Sequence, residues 1–118
     1  MSDELKLAII LSFSKGNAKA NRVENIEVDV TGDAFVHEVV EIATSETTIT
    51  QKTEMGTPGY IFLKNMDSTN YTEVGVTTGV YTVKLKAGEI ALYRHDGAAI
   101  LAKANTAACL LEYCLIED

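Results

Sequence analysis

The chain has 118 residues, 47% of them hydrophobic and 23% charged, with one proline, eight glycines and no tryptophan. That composition suits one folded domain with a single core and excludes a disordered or collagen-like protein. Seventeen acidic residues against ten basic ones give a net charge of −7, so the chain lacks the positive footprint that neutralises phosphates, and nucleic acid is not an expected partner.

The opening "MSDELKLAIILSF" starts acidic, is interrupted by Lys6 and ends among Ser12 and Ser14. It reads as neither a secretory signal nor a membrane span, which needs roughly 20 apolar residues. Its period is two: Leu5, Leu7, Ile9, Leu11 and Phe13 fall on one face, which predicts a strand turned toward the core. "SKGNAKAN" reads as a loop. "RVENIEVDV" then places Ile26, Val28 and Val30 on one face with Glu27 and Asp29 opposite, and "TGD" turns the chain into "AFVHEVVEI".

Residues 43–51, "ATSETTITQ", are polar and rich in threonine, the composition of an exposed or edge strand. "EMGTPG" interrupts the pattern, because Pro58 holds Thr57 extended and the glycines permit a tight turn. "YIFLK" and "YTEVGV" flank "NMDSTN" and read as a hairpin. Its tip, Met66, Asp67, Ser68, Thr69 and Asn70, is the candidate contact loop, since loops project from the ends of a sandwich. After a turn at Thr77–Gly79, "VYTVKL" puts Tyr81, Val83 and Leu85 on one face. "KAGE" turns into "IALYR", and "HDGAA" follows, with Asp96-Gly97 the strongest two-residue hairpin signal in the chain. "ILAKA" and, beyond "NTAA", residues 109–116 complete the series.

No stretch carries sustained helical periodicity, a fixed-period repeat or low complexity. Period-two runs recurring about every ten residues predict an all-β fold, a single domain over residues 1–118 forming an antiparallel β-sandwich or jelly roll of about eight to ten short strands.

Cys109 and Cys114 are five apart. On one strand that spacing sends them to opposite faces about 16 Å apart, so they are expected as free thiols rather than a disulfide. His37 and Glu41 would share a strand face but about 13 Å apart, too far to clasp one ion, and no metal site is expected. His95 and Asp96, beside Arg94, read as turn residues with no nucleophile and oriented base. The acidic residues single out no carboxylate pair. Tyr60, Tyr71, Tyr81, Tyr93 and Tyr113 are spread over five predicted strands, a distribution that suits core and subunit interface better than a sugar-binding platform. No catalytic residue and no cofactor is expected.

The stretches "GTPGYIFLKNMDSTNYTEVG", "YTVKLKAGEIALYR" and "AILAKANTAACLLEYCLIED" resemble small virion structural proteins of tailed bacteriophages, single-domain β-sandwich or jelly-roll proteins that include capsid decoration (cement) proteins. The resemblance covers residues 56–118 best and rests on strand order and turn placement. It implies a non-enzymatic protein made in the host cytoplasm and carried on the capsid surface of the virion. Its partner would be the major capsid protein lattice, bound by a symmetric homo-oligomer, with a trimer expected, and no membrane is involved. The alternatives are a tail-associated component (adaptor, tube or fibre attachment) and a carbohydrate-binding module.

Overall fold

Ten strands and no helix occur among residues 4–49, 51, 55–96 and 99–118, the residues described by a computed structural model. The chain divides into two compact units, Met1–Thr31 and Gly32–Asp118. The all-β expectation holds, and the sandwich is built by the second unit alone.

In the first unit, β1 (Leu5–Lys15) and β2 (Ala18–Val28) pair antiparallel along their whole length, from Leu5 opposite Val28 to Lys15 opposite Ala18. The predicted eight-residue loop contracts to a two-residue turn. Gly16 supplies it with φ of 58°, the sign that tight hairpin turns demand and glycine adopts without strain. Leu5, Leu7, Ile9, Leu11 and Phe13 do share a face, but their expected place in the core is corrected: Ile9, Leu11 and Phe13 are 47–60% exposed. A ribbon of two strands has no second layer of its own to cover that face.

The second unit holds β3 (Phe35–Ile42), β4 (Thr47–Thr48), β5 (Pro58–Asn65), β6 (Thr72–Gly75), β7 (Val83–Leu85), β8 (Ile90–Arg94), β9 (Leu101–Ala104) and β10 (Cys109–Glu117). Two four-stranded antiparallel sheets result, in the orders β3-β10-β5-β8 and β4-β9-β6-β7. The partners nest: β3 with β10, β4 with β9, β5 with β8, β6 with β7. Four strands run out and four return, as one long hairpin, and the further pairs β10–β5 and β9–β6 roll it into two layers. This is jelly-roll topology.

The nesting corrects the predicted hairpin over 59–76. β5 and β6 belong to different sheets, so residues 66–71 carry the chain across the sandwich. Among the described residues of the polar run 43–51 one strand forms, β4, paired on one side to β9, an edge strand as its composition indicates. The turn predicted at Asp96-Gly97 falls partly on Gly97, outside the described residues.

Alternation along the strands builds the core. β5 buries Ile61, Leu63 and Asn65 while Tyr60, Phe62 and Lys64 are half-buried, and β10 buries Leu111, Tyr113 and Leu115. These meet Val36, Ile42, Ile49, Val74, Leu85 and Ile100 between the layers, each large aliphatic contributing about 1.5–3 kcal/mol by leaving water. Cys109 is buried on the inner face and Cys114 half-buried on the outer, both free, as their spacing predicted.

One carboxylate closes the fold at its end. Glu117 accepts hydrogen bonds from the backbone N–H groups of Asp33 and Ala34 at 3.1 Å and of Gly56 at 2.6 Å. A Cβ at Gly32 would overlap that carboxylate, so a larger residue there would push the Glu117 side chain out of this position.

Candidate functional site

The predicted contact loop is rigidly framed. Asn65 is fully buried and its side-chain amide donates to the carbonyls of Asn70 (2.8 Å) and Leu85 (3.0 Å), while its oxygen accepts the Asp67 N–H at 2.9 Å. Asp67 accepts the N–H groups of Asn70 (2.6 Å) and Thr69 (2.8 Å). These bonds favour the ionised carboxylate and hold its pKa below the ordinary value. Asn70 is tied in turn to Thr106, whose hydroxyl donates to it at 2.6 Å. Of the five candidate residues, Asp67 and Asn70 shape the loop from half-buried positions, and Met66, Ser68 and Thr69 face solvent.

A second clasp holds the opposite connection. Glu46 accepts from the Tyr81 hydroxyl (2.6 Å), the Gly79 N–H (3.2 Å) and the Thr78 hydroxyl (3.1 Å). The Tyr81 bond is the largest cause of the lowered Glu46 pKa, and the same bond raises that of Tyr81. The remaining tyrosines are equally occupied. Tyr113 lies in the core, Tyr93 packs against it, Lys84 covers Tyr71 at 4.1 Å, and Arg94 covers Tyr60 at 4.9 Å. They form no common platform.

The two histidines occupy different settings. His37 is exposed and bonds Glu112 at 2.8 Å across the strands. His95 is buried, and its N–H donates to the Gly59 carbonyl at 2.8 Å, extending the β5–β8 ladder. Its Nε2 has no hydrogen-bond partner among the described residues. Among the described residues no group of three His, Cys, Asp or Glu is placed to hold a metal, and no helix is long and apolar enough to cross a membrane.

The two outer faces of the sandwich differ sharply. On the sheet β4-β9-β6-β7, Glu73 lies between Lys84 and Lys103 on adjacent strands, an alternating charge ladder suited to water. On the sheet β3-β10-β5-β8, one register row reads His37, Cys114, Phe62, Leu92 and the next Val39, Glu112, Lys64, Ile90. Phe35, Val39, Ile90 and Leu110 there are 50–61% exposed. Polar groups cross this face as well: His37 bonds Glu112 at 2.8 Å, Arg94 pairs with Asp118 at 3.0 Å, and Lys64 and Glu41 lie on it too, so the apolar side chains are interspersed with a few polar ones.

Sequence reasoning missed this face, although its signal is present. "FVHEVV", "YIFL" and "CLLEYCLI" are apolar at both parities, the pattern of strands covered on two sides. Comparison with family models, curated proteins and solved structures finds no match to this chain.

Proposed function

We propose that this protein is a non-enzymatic virion structural protein of a tailed bacteriophage, a capsid decoration protein that binds the assembled capsid lattice as a symmetric homo-oligomer and stabilises it. The observation that carries the reading is the apolar outer face of the sheet β3-β10-β5-β8, set against the charged outer face of the other sheet. Contiguous exposed apolar surface of this kind marks a site of protein association. The jelly roll, an architecture used by viral capsid domains among others, supports it by analogy only. The pre-shaped loop at residues 66–70 adds a rigid polar contact at one end of the sandwich.

A lattice presents several subunits at fixed spacing, so weak single contacts add through multivalency, and affinity for shells exceeds affinity for isolated capsid protein. Mixing the protein with undecorated capsids and pelleting them should recover it with the particles and raise their resistance to heat. Ile90→Asp places a carboxylate opposite Lys64 on an exposed edge position. It should leave the circular dichroism and melting curve unchanged while reducing binding at least tenfold. Shells that retain none of the wild-type protein, while purified tails do, would move the assignment to the tail.

A further inference from the structure

The apolar face of the β1–β2 ribbon has a pattern that points to one occupant. A two-stranded ribbon alone is marginal in water, yet this one is about 36 Å long and leaves its apolar face exposed. The charges are polarised along it. The acids Glu4, Glu24, Glu27 and Asp29 all lie in the half away from the turn, whereas the bases Lys15, Lys19 and Arg22 lie in the half that contains it. Lys6 is the one exception.

On the apolar face itself the rows, from the open end to the turn, are Leu5/Val28, Leu7/Ile26, Ile9/Glu24, Leu11/Arg22, Phe13/Ala20 and Lys15/Ala18. The midpoint falls between the Glu24 and Arg22 rows. Laying a second ribbon face to face across that midpoint, antiparallel and related by a two-fold axis, sets Glu24 of each copy over Arg22 of the other. The same operation puts Ile26 over Ala20 and Val28 over Ala18, bulky against small, Ile9 over Leu11 and Leu7 over Phe13, and the Lys15 stem over Leu5 at the two ends. A parallel arrangement instead sets Glu24 over Ile9 and brings like-charged ends together. The face is therefore self-complementary in one orientation, as an isologous two-fold contact requires.

We propose that two copies of this chain associate through their β1–β2 ribbons, packed antiparallel face to face with two reciprocal Glu24–Arg22 ion pairs at the centre. The proposal does not rest on the capsid reading. The ribbon covers about 36 by 10 Å, roughly 700 Å² in total for two copies, below the size of a standard stable interface. The pairing should thus be weak and concentration-dependent, and should weaken further as salt rises.

Within one copy Arg22 also contacts Glu24, so single variants alone do not isolate the contact between copies. The decisive test is a charge exchange between two full-length variants. Glu24→Arg gives a face with two cations at its centre, and Arg22→Glu gives one with two anions. Sedimentation velocity over a concentration series should show the two-fold association step of the wild type weakened at least tenfold in each variant alone. It should return when the two are mixed in equal amounts. Single variants that associate as the wild type does, or a mixture that recovers nothing, would overturn the proposal. So would a wild type with no two-fold step up to millimolar concentration.

Discussion

Glu117 shows what a single side chain does for segments that no strand ladder ties down. Its carboxylate gathers three backbone N–H groups from two separate segments, donors that no strand ladder uses. The Gly56 N–H, the shortest of the three bonds, contributes most to holding its pKa below the ordinary carboxylate value. A carboxyl with a depressed pKa in the folded state binds its proton more weakly there than in the unfolded chain. It therefore stabilises the fold above its unfolded value, near pH 4.5, and that contribution is lost as pH falls through the lower folded value. Glu117→Gln should lower the melting temperature at neutral pH and flatten the acid limb of the stability curve below about pH 4.5. Thermal melts of both proteins from pH 3 to 7 would check this. Parallel curves displaced by a constant amount would show that the ionised form of Glu117 is not what holds the loops.

Strands respond to substitution according to which of their faces is covered, and the chain contains both cases. Leu111→Ala, at a fully buried position on β10, should cost about 2–5 kcal/mol through lost transfer energy and a residual cavity. Ile9→Asp on the ribbon should leave the melting of the sandwich unchanged, because Ile9 is half exposed and lies in the other unit. Paired urea titrations of the two variants would separate these effects, and equal losses would mean that β1 is part of the core after all. The strands themselves were legible because period two is written into "LKLAIILSF" and "YTVKL", and the KAGE turn at residues 86–89 closes as expected, with the Glu89 N–H donating to Lys86 at 3.0 Å. Pairing was not legible. An alternating strand records that one face is apolar, not which strand or which molecule covers it, so β1 was assigned to a core that it does not enter. Likewise "NMDSTN" has the composition of a hairpin turn, yet its six residues are long enough to cross between layers, and buried Asn65 directs that crossing. The candidate loop could be located from its turn residues, whereas the apolar sheet face required the register that brings Phe62, Cys114 and Leu92 side by side.

At the scale of the whole molecule, one unit carries the core and each unit carries an uncovered apolar face. The core cluster runs from Val36 to Leu115, and the nested strand pairs of the jelly roll all lie within Gly32–Asp118. Folding of the sandwich thus draws on no strand of the first 31 residues. A chain beginning at Gly32 should keep a β-rich circular dichroism spectrum and a cooperative melt, because every buried row retains its partners. If the proposed capsid contact lies on the outer sheet face, it should also keep binding to undecorated capsids, and if the proposed pairing runs through the ribbon, it should lose the two-fold association step. Cys114 gives an internal readout. It lies on the apolar outer face next to Phe62 and His37, and burial followed by the nearby Glu112 charge raises its thiol pKa. Alkylation of the free protein should therefore be slow near neutral pH and accelerate as pH rises through the thiol range, with Cys114 modified before buried Cys109. Shells added first should protect Cys114 in both the full and the shortened chain. Loss of protection only in the shortened chain would place the capsid contact on the ribbon instead of the sheet.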